Sequence, residues 1–87
     1  VAVPEEWQAR AFDLCLGLLL APAEPVGIRV YALTAATRLA GAYPELAAEL
    51  LVAIENVLST TTSAALYSRA ARETPKLCAV TRDVLPG

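Results

Sequence analysis

The chain has 87 residues and a formal net charge of −2; compact domains run from about 50 to 250 residues, so this is one small domain and not a two-domain enzyme. It contains no histidine, hence no imidazole base, no Ser–His or Cys–His couple and no His metal ligand, which removes most hydrolytic and zinc chemistry. Apolar residues make up 56% and charged residues 18%, against roughly 45–50% and 25% in ordinary soluble domains, so apolar surface is in excess, although 18 alanines sit outside almost as comfortably as inside.

With no methionine in the chain, Val1 is expected to follow upstream sequence, and the chain is read as a piece of a longer one. Its start lacks the basic and apolar order of a signal peptide. The longest run free of both charge and strong polarity, near Leu14 to Ala23, is about half of the roughly 20 residues a membrane span needs. A soluble, cytoplasmic setting without membrane contact is expected.

Pro4 suits the first turn of an opening helix, with Glu5 and Glu6 where the helix dipole favours negative charge. Trp7, Ala11, Leu14 and Leu18 then recur at helical spacing to about Leu20. Pro22 and Pro25 break that helix. A second helix begins near Pro25, carries Ile28, Ala32, Ala35 and Leu39 with Ala36 and Tyr43 alongside, and ends near Gly41.

Pro44 opens a third helix with the stripe Ala47, Leu51, Ile54 and Leu58, widened by Leu46, Leu50 and Val57, and stopping at Ser59. Glu45 and Glu49 fall on its outer side as a solvated face. The hydroxyls of Thr60, Thr61, Thr62 and Ser63 offer N-caps for a fourth helix through Leu66, Tyr67 and Ala70 to about Glu73. Thr74-Pro75 reads as another start, predicting a short terminal helix over 75–84 with Leu77, Cys78 and Val84, before Pro86-Gly87 ends the chain.

Cys15 and Cys78 can pair in an oxidising compartment, but each lies in an apolar helical pattern where reduced thiols are common. Residues 1–60 hold three basic and seven acidic groups, and residues 61–87 four and two. That asymmetry favours neighbour-to-neighbour contact over a nucleic-acid face, which needs a strong basic stripe.

The first and third helices match when shifted by 40: Trp7 with Ala47, Ala11 with Leu51, Leu14 with Ile54, Leu18 with Leu58; the same shift carries Arg29 onto Arg69. Two helix pairs of about 40 residues fit the period of HEAT-type repeats. Glu24 to Leu33, with its acidic residue, proline and Ile28-Arg29 pair, resembles the turn and second helix of a HEAT repeat, and Tyr43-Pro44-Glu45-Leu46 resembles the opening of the next. The likeness, to bacterial HEAT-like proteins of unassigned activity, covers about residues 5–73. It weakens in the second unit, whose turn lacks the acidic residue, as a terminal capping repeat would.

The resemblance implies an all-α fold: two antiparallel helix pairs stacked as a fragment of an α-α superhelix, with repeat one over about 4–43, repeat two over 44–74 and the short helix after them. It implies that Arg29 and Arg69 are structural, each bonding an acidic or carbonyl group in the adjacent repeat and lining up as a ladder. On the side of the second helix opposite its apolar stripe stand Val30, Thr34, Thr37, Arg38 and Gly41. The second helix of each pair lines the concave surface of HEAT-like stacks, so a partner is expected on Val30, Thr34, Thr37 and Arg38. Trp7, Tyr31, Tyr43 and Tyr67 read as edge-of-core residues.

The function expected is a non-catalytic protein-interaction scaffold or capping segment, with no catalytic residue, cofactor or metal. Two units are fewer than the three or more normally needed for stability, so an apolar end is expected to meet upstream repeats, a protein partner or another copy of the chain. The alternative, implied by HEAT-like folds that include DNA glycosylases and lyases, is an enzyme subunit; it needs a basic concave channel, toward which Arg38 alone contributes.

Overall fold

A computed structural model describes residues 5–82 of the chain. These form four helices, α1 (Glu5–Leu20), α2 (Val26–Ala40), α3 (Pro44–Thr60) and α4 (Ala64–Arg82), with no strand among the described residues. The places expected for Pro4, Val84 and Pro86-Gly87 lie outside them.

Local chemistry sets the helix starts. Pro25 stands at the N-cap of α2, and its carbonyl accepts the N–H groups of Ile28 and Arg29. Pro44 fills the first helical position of α3, where a missing N–H costs nothing, and Glu45 follows it in the first turn. Ser63 Oγ accepts the N–H of Leu66 at 3.4 Å, an N-cap for α4, and Thr61 Oγ1 accepts the N–H of Ser63. Gly41 ends α2 in a right-handed conformation (φ −60°, ψ −26°), not the left-handed one usual for a closing glycine.

The break expected at Thr74-Pro75 does not occur: α4 runs unbroken through Pro75 to Arg82, so the separate helix over 75–84 and the end of repeat two at 74 are corrected. The missing N–H of Pro75 leaves the carbonyl of Ala71 unbonded within the helix, and both residues are exposed, where water can serve. Buried Glu73 and Leu77 hold the helix on either side.

Each hairpin is an antiparallel pair, α1 against α2 and α3 against α4, and the hairpins stack with α3 beside α1 and α4 beside α2. Among the described residues α1 does not touch α4. A closed up-and-down bundle would bring those two together, so this is an open two-layer stack. Its shortest dimension, 18 Å, is about two helix diameters.

The buried core differs in register from the sequence stripes. In α1 it is Phe12 and Leu19, both wholly buried, whereas Trp7 and Leu14 are 58% and 66% exposed. In α2 the buried positions are Arg29, Ala32, Leu33, Ala36, Thr37 and Ala40; Ile28 is exposed and Ala35 and Leu39 half-buried. Both expected stripes lie about 100° round the helix from the face that packs. In α3 Ala47, Leu50, Ile54 and Val57 are buried as expected, Ala53 completes the face, and Leu51 and Leu58 are half-buried. The shift of 40 therefore pairs exposed Trp7 with buried Ala47 and exposed Leu14 with buried Ile54. The starts of the second helices, at Val26 and Ala64, set the spacing slightly under forty.

Gly17 sits mid-helix on the exposed side of α1, and an added Cβ would meet no atom within 4 Å. Gly17→Ala is expected to stabilise the fold by about 0.5–1 kcal/mol through the reduced backbone entropy of the unfolded chain. Thermal denaturation reads this as a Tm several degrees higher; an unchanged or lower Tm would mean that this side of α1 is closely covered.

Candidate functional site

Two surfaces of the stack are candidates. The first is a cleft of about 320 Å³ between α2 and α4, lined from α2 by Thr34, Thr37, Arg38 and Gly41, and from α4 by Arg69, Glu73, Lys76, Leu77 and Val80. Three of the four residues expected to face a partner, Thr34, Thr37 and Arg38, therefore meet in it. The fourth, Val30, is half-buried against the core and does not line it.

Glu73 forms the cleft's acidic centre. Its side chain is 3% exposed, and one oxygen, Oε1, lies 3.7 Å from Arg69 Nη1 and 3.5 Å from Lys76 Nζ. Burying a carboxylate without a cation is costly, and these two partners on its own helix, one turn away, offset that cost. Arg38 stands exposed on the facing helix and makes no hydrogen bond or ion pair among the described residues. The two threonines donate to their own helix: Thr34 Oγ1 to the Val30 carbonyl at 3.2 Å and Thr37 Oγ1 to the Leu33 carbonyl at 2.9 Å. With their protons committed, both hydroxyls face the cleft only as acceptors.

The second surface is the outer flank of the first hairpin. Trp7 and Leu14 from α1 and Ile28 and Tyr31 from α2 are exposed. Between the helices runs a groove of about 380 Å³ whose lining includes Ala11, Cys15, Ala35 and Leu39. The Arg10 guanidinium lies 6.0 Å from the centre of the Trp7 ring. Burial in this groove pushes the Cys15 thiol above its ordinary range. Cys15 and Cys78 are both free, on helices that do not touch. Of the apolar stripe read from the sequence, Trp7, Ala11 and Leu14 lie on this flank, while Leu18 packs against the core.

Arg29 and Arg69 occupy unlike places, and the expected ladder of arginines between repeats is corrected. Arg29 is buried and donates from Nε to the Leu19 carbonyl at 2.9 Å, at the end of the first helix of its own hairpin. In the second hairpin the matching bond comes from Tyr67, whose hydroxyl donates to the Leu58 carbonyl at 2.7 Å. The slightly shorter spacing of the hairpins carries Arg69 past that position and into the α2–α4 cleft. Tyr43 Oη donates to Gln8 Oε1 at 2.6 Å, tying the start of α3 to α1.

Sequence reasoning missed Glu73 and Lys76 as members of the cleft. The signal was a single acid, Glu73, flanked at helical spacing by Arg69 and Lys76 in a segment otherwise basic. Among the described residues no three His, Cys, Asp or Glu side chains come together as a metal site, and no helix is long and apolar enough to cross a membrane. The family model of the HEAT repeat domain matches residues 1–76. No curated protein and no solved structure matches the chain.

Proposed function

We propose that this chain, which belongs to the HEAT repeat domain family, is a non-catalytic protein-interaction segment that docks protein on the flank of α1 and α2 and along the concave face of α2. Helical repeats of this kind are interaction scaffolds, built by burying one hairpin's flank against the next. The observation that carries the reading is the unpartnered apolar flank: four large side chains, Trp7, Leu14, Ile28 and Tyr31, stand exposed on one hairpin. Isolated exposed apolar residues are ordinary, whereas several beside a groove mark an interaction site. Either another helical hairpin upstream or a second copy of the chain would bury them. On α2, Thr34, Thr37 and Arg38 are proposed to contact the partner, with Val30 supporting them from the core side. Two unpaired thiols on separate helices suit a reducing compartment, and a cytoplasmic location is the corresponding reading.

In sedimentation or light scattering across a concentration series, the chain is expected to gain mass as concentration rises. Leu14→Glu, which places a charge at an exposed flank position, is expected to abolish that association and leave helical circular dichroism unchanged. A chain that stays monomeric at every concentration would overturn the flank as a docking face.

A further inference from the structure

We infer that the α2–α4 cleft receives an acidic side chain, Asp or Glu, carried on an extended segment of a partner protein; this rests on the reading of the chain as a protein-binding module. Three cations, Arg38, Arg69 and Lys76, line the cleft, against one acid, Glu73. The chain as a whole is acidic, at −2, so the cleft is a local reversal of sign. Inside it, Arg69 and Lys76 both turn to the same oxygen of the buried Glu73 carboxylate. Their positive charge is only partly matched, and that of Arg38 meets no acidic partner among the described residues. A second carboxylate entering between the two helices would take charge-assisted hydrogen bonds from donors that α2 and α4 already hold in place.

The remaining lining decides which anion fits. Thr34 and Thr37 present acceptors only, because their protons are committed to Val30 and Leu33. A peptide supplies backbone N–H groups to such acceptors, and a phosphodiester backbone has no donor to offer. Buried Glu73 repels a chain of phosphates more than a lone carboxylate, and three cations in one spot do not form the track that a nucleic acid follows. Leu77 and Val80 supply an apolar wall for the methylene stem of an acidic side chain. At about 320 Å³ the cleft has room for one or two side chains and no large ligand.

The test is a titration of the isotope-labelled full chain, followed through its amide resonances, with a blocked peptide Ala-Glu-Glu-Ala. Its Ala-Gln-Gln-Ala twin and an oligothymidylate are run alongside. The acidic peptide is expected to shift the amides around Arg38, Arg69 and Lys76 saturably, with the effect fading as salt is raised. Arg38→Ala, at an exposed and unpaired position that leaves the fold intact, is expected to weaken binding about tenfold through loss of a charge-assisted bond. An equal response to the glutamine twin, no cleft shift at about 10 mM peptide, or unaltered binding by R38A would overturn the assignment. Tighter binding of the oligothymidylate at the same amides would overturn it in favour of nucleic acid. A silent cleft in a chain that still self-associates refutes the carboxylate assignment alone; a silent cleft together with a strictly monomeric chain removes the protein-binding reading as well.

Discussion

Phe12→Ala is expected to cost about 3–5 kcal/mol, and Leu14→Ala, one half-turn away on the same helix, less than about 0.5 kcal/mol. Phe12 is wholly buried in the core, where truncation removes a ring and leaves a cavity that the surrounding helices cannot fill without moving. Leu14 is 66% exposed, so alanine there gives up little contact and exposes nothing new. A domain of this size holds only about 5–10 kcal/mol in total, so F12A gives up from roughly a third to all of it. Urea denaturation of the two variants side by side measures the register of α1 directly. If L14A were the costly one, the stripe Trp7, Ala11, Leu14 and Leu18 would be core after all, and the docking flank would vanish with it.

Arg29→Met is expected to lower stability by about 2–3 kcal/mol, or roughly 10 °C or more in Tm. The last carbonyls of a helix have no partner within it. At the end of α1 the Leu19 carbonyl finds one in Arg29 Nε, from a side chain only 7% exposed. The same arginine borders a small cavity shared with Leu20, Pro22 and the last turn of α3 at Asn56, Val57 and Thr60. A permanent positive charge thus stands near the negative ends of two helices, where it is favourable. Methionine keeps most of the aliphatic volume, so the measured loss reports the missing donor and charge. Arg69→Met is expected to cost less than about 1 kcal/mol, because Arg69 is partly exposed and Lys76 remains on Glu73. Equal losses at the two positions in thermal denaturation would restore the ladder of equivalent arginines.

The starts of α2, α3 and α4 were legible because Pro25, Pro44 and Ser63 act through a few covalent neighbours. The rotation of α1 and α2 was not. Each carries apolar residues on two adjoining faces, and alanine contributes to both without distinguishing them. The packed face of α2 also includes Arg29 and Thr37, whose polarity disguises it; their burial is tolerable because each side chain reaches a specific carbonyl. Pro75 misled for the opposite reason: a proline's effect on a helix depends on whether water or protein faces the carbonyl it leaves free. Of the candidate cleft, the ribbon Thr34, Thr37 and Arg38 could be read from one helix alone. Its other wall depended on how α4 lies against α2, which no spacing within either helix encodes.

Because, among the described residues, α1 and α4 do not meet while α2 and α3 each pack against all three other helices, order in this molecule has a direction. Either outer rod can peel away without first disturbing the opposite one, whereas freeing one of the middle pair disturbs everything. Fraying is thereby confined to the margins, and a companion seated on the margin beside α1 would close off one of the two routes by which the molecule comes apart.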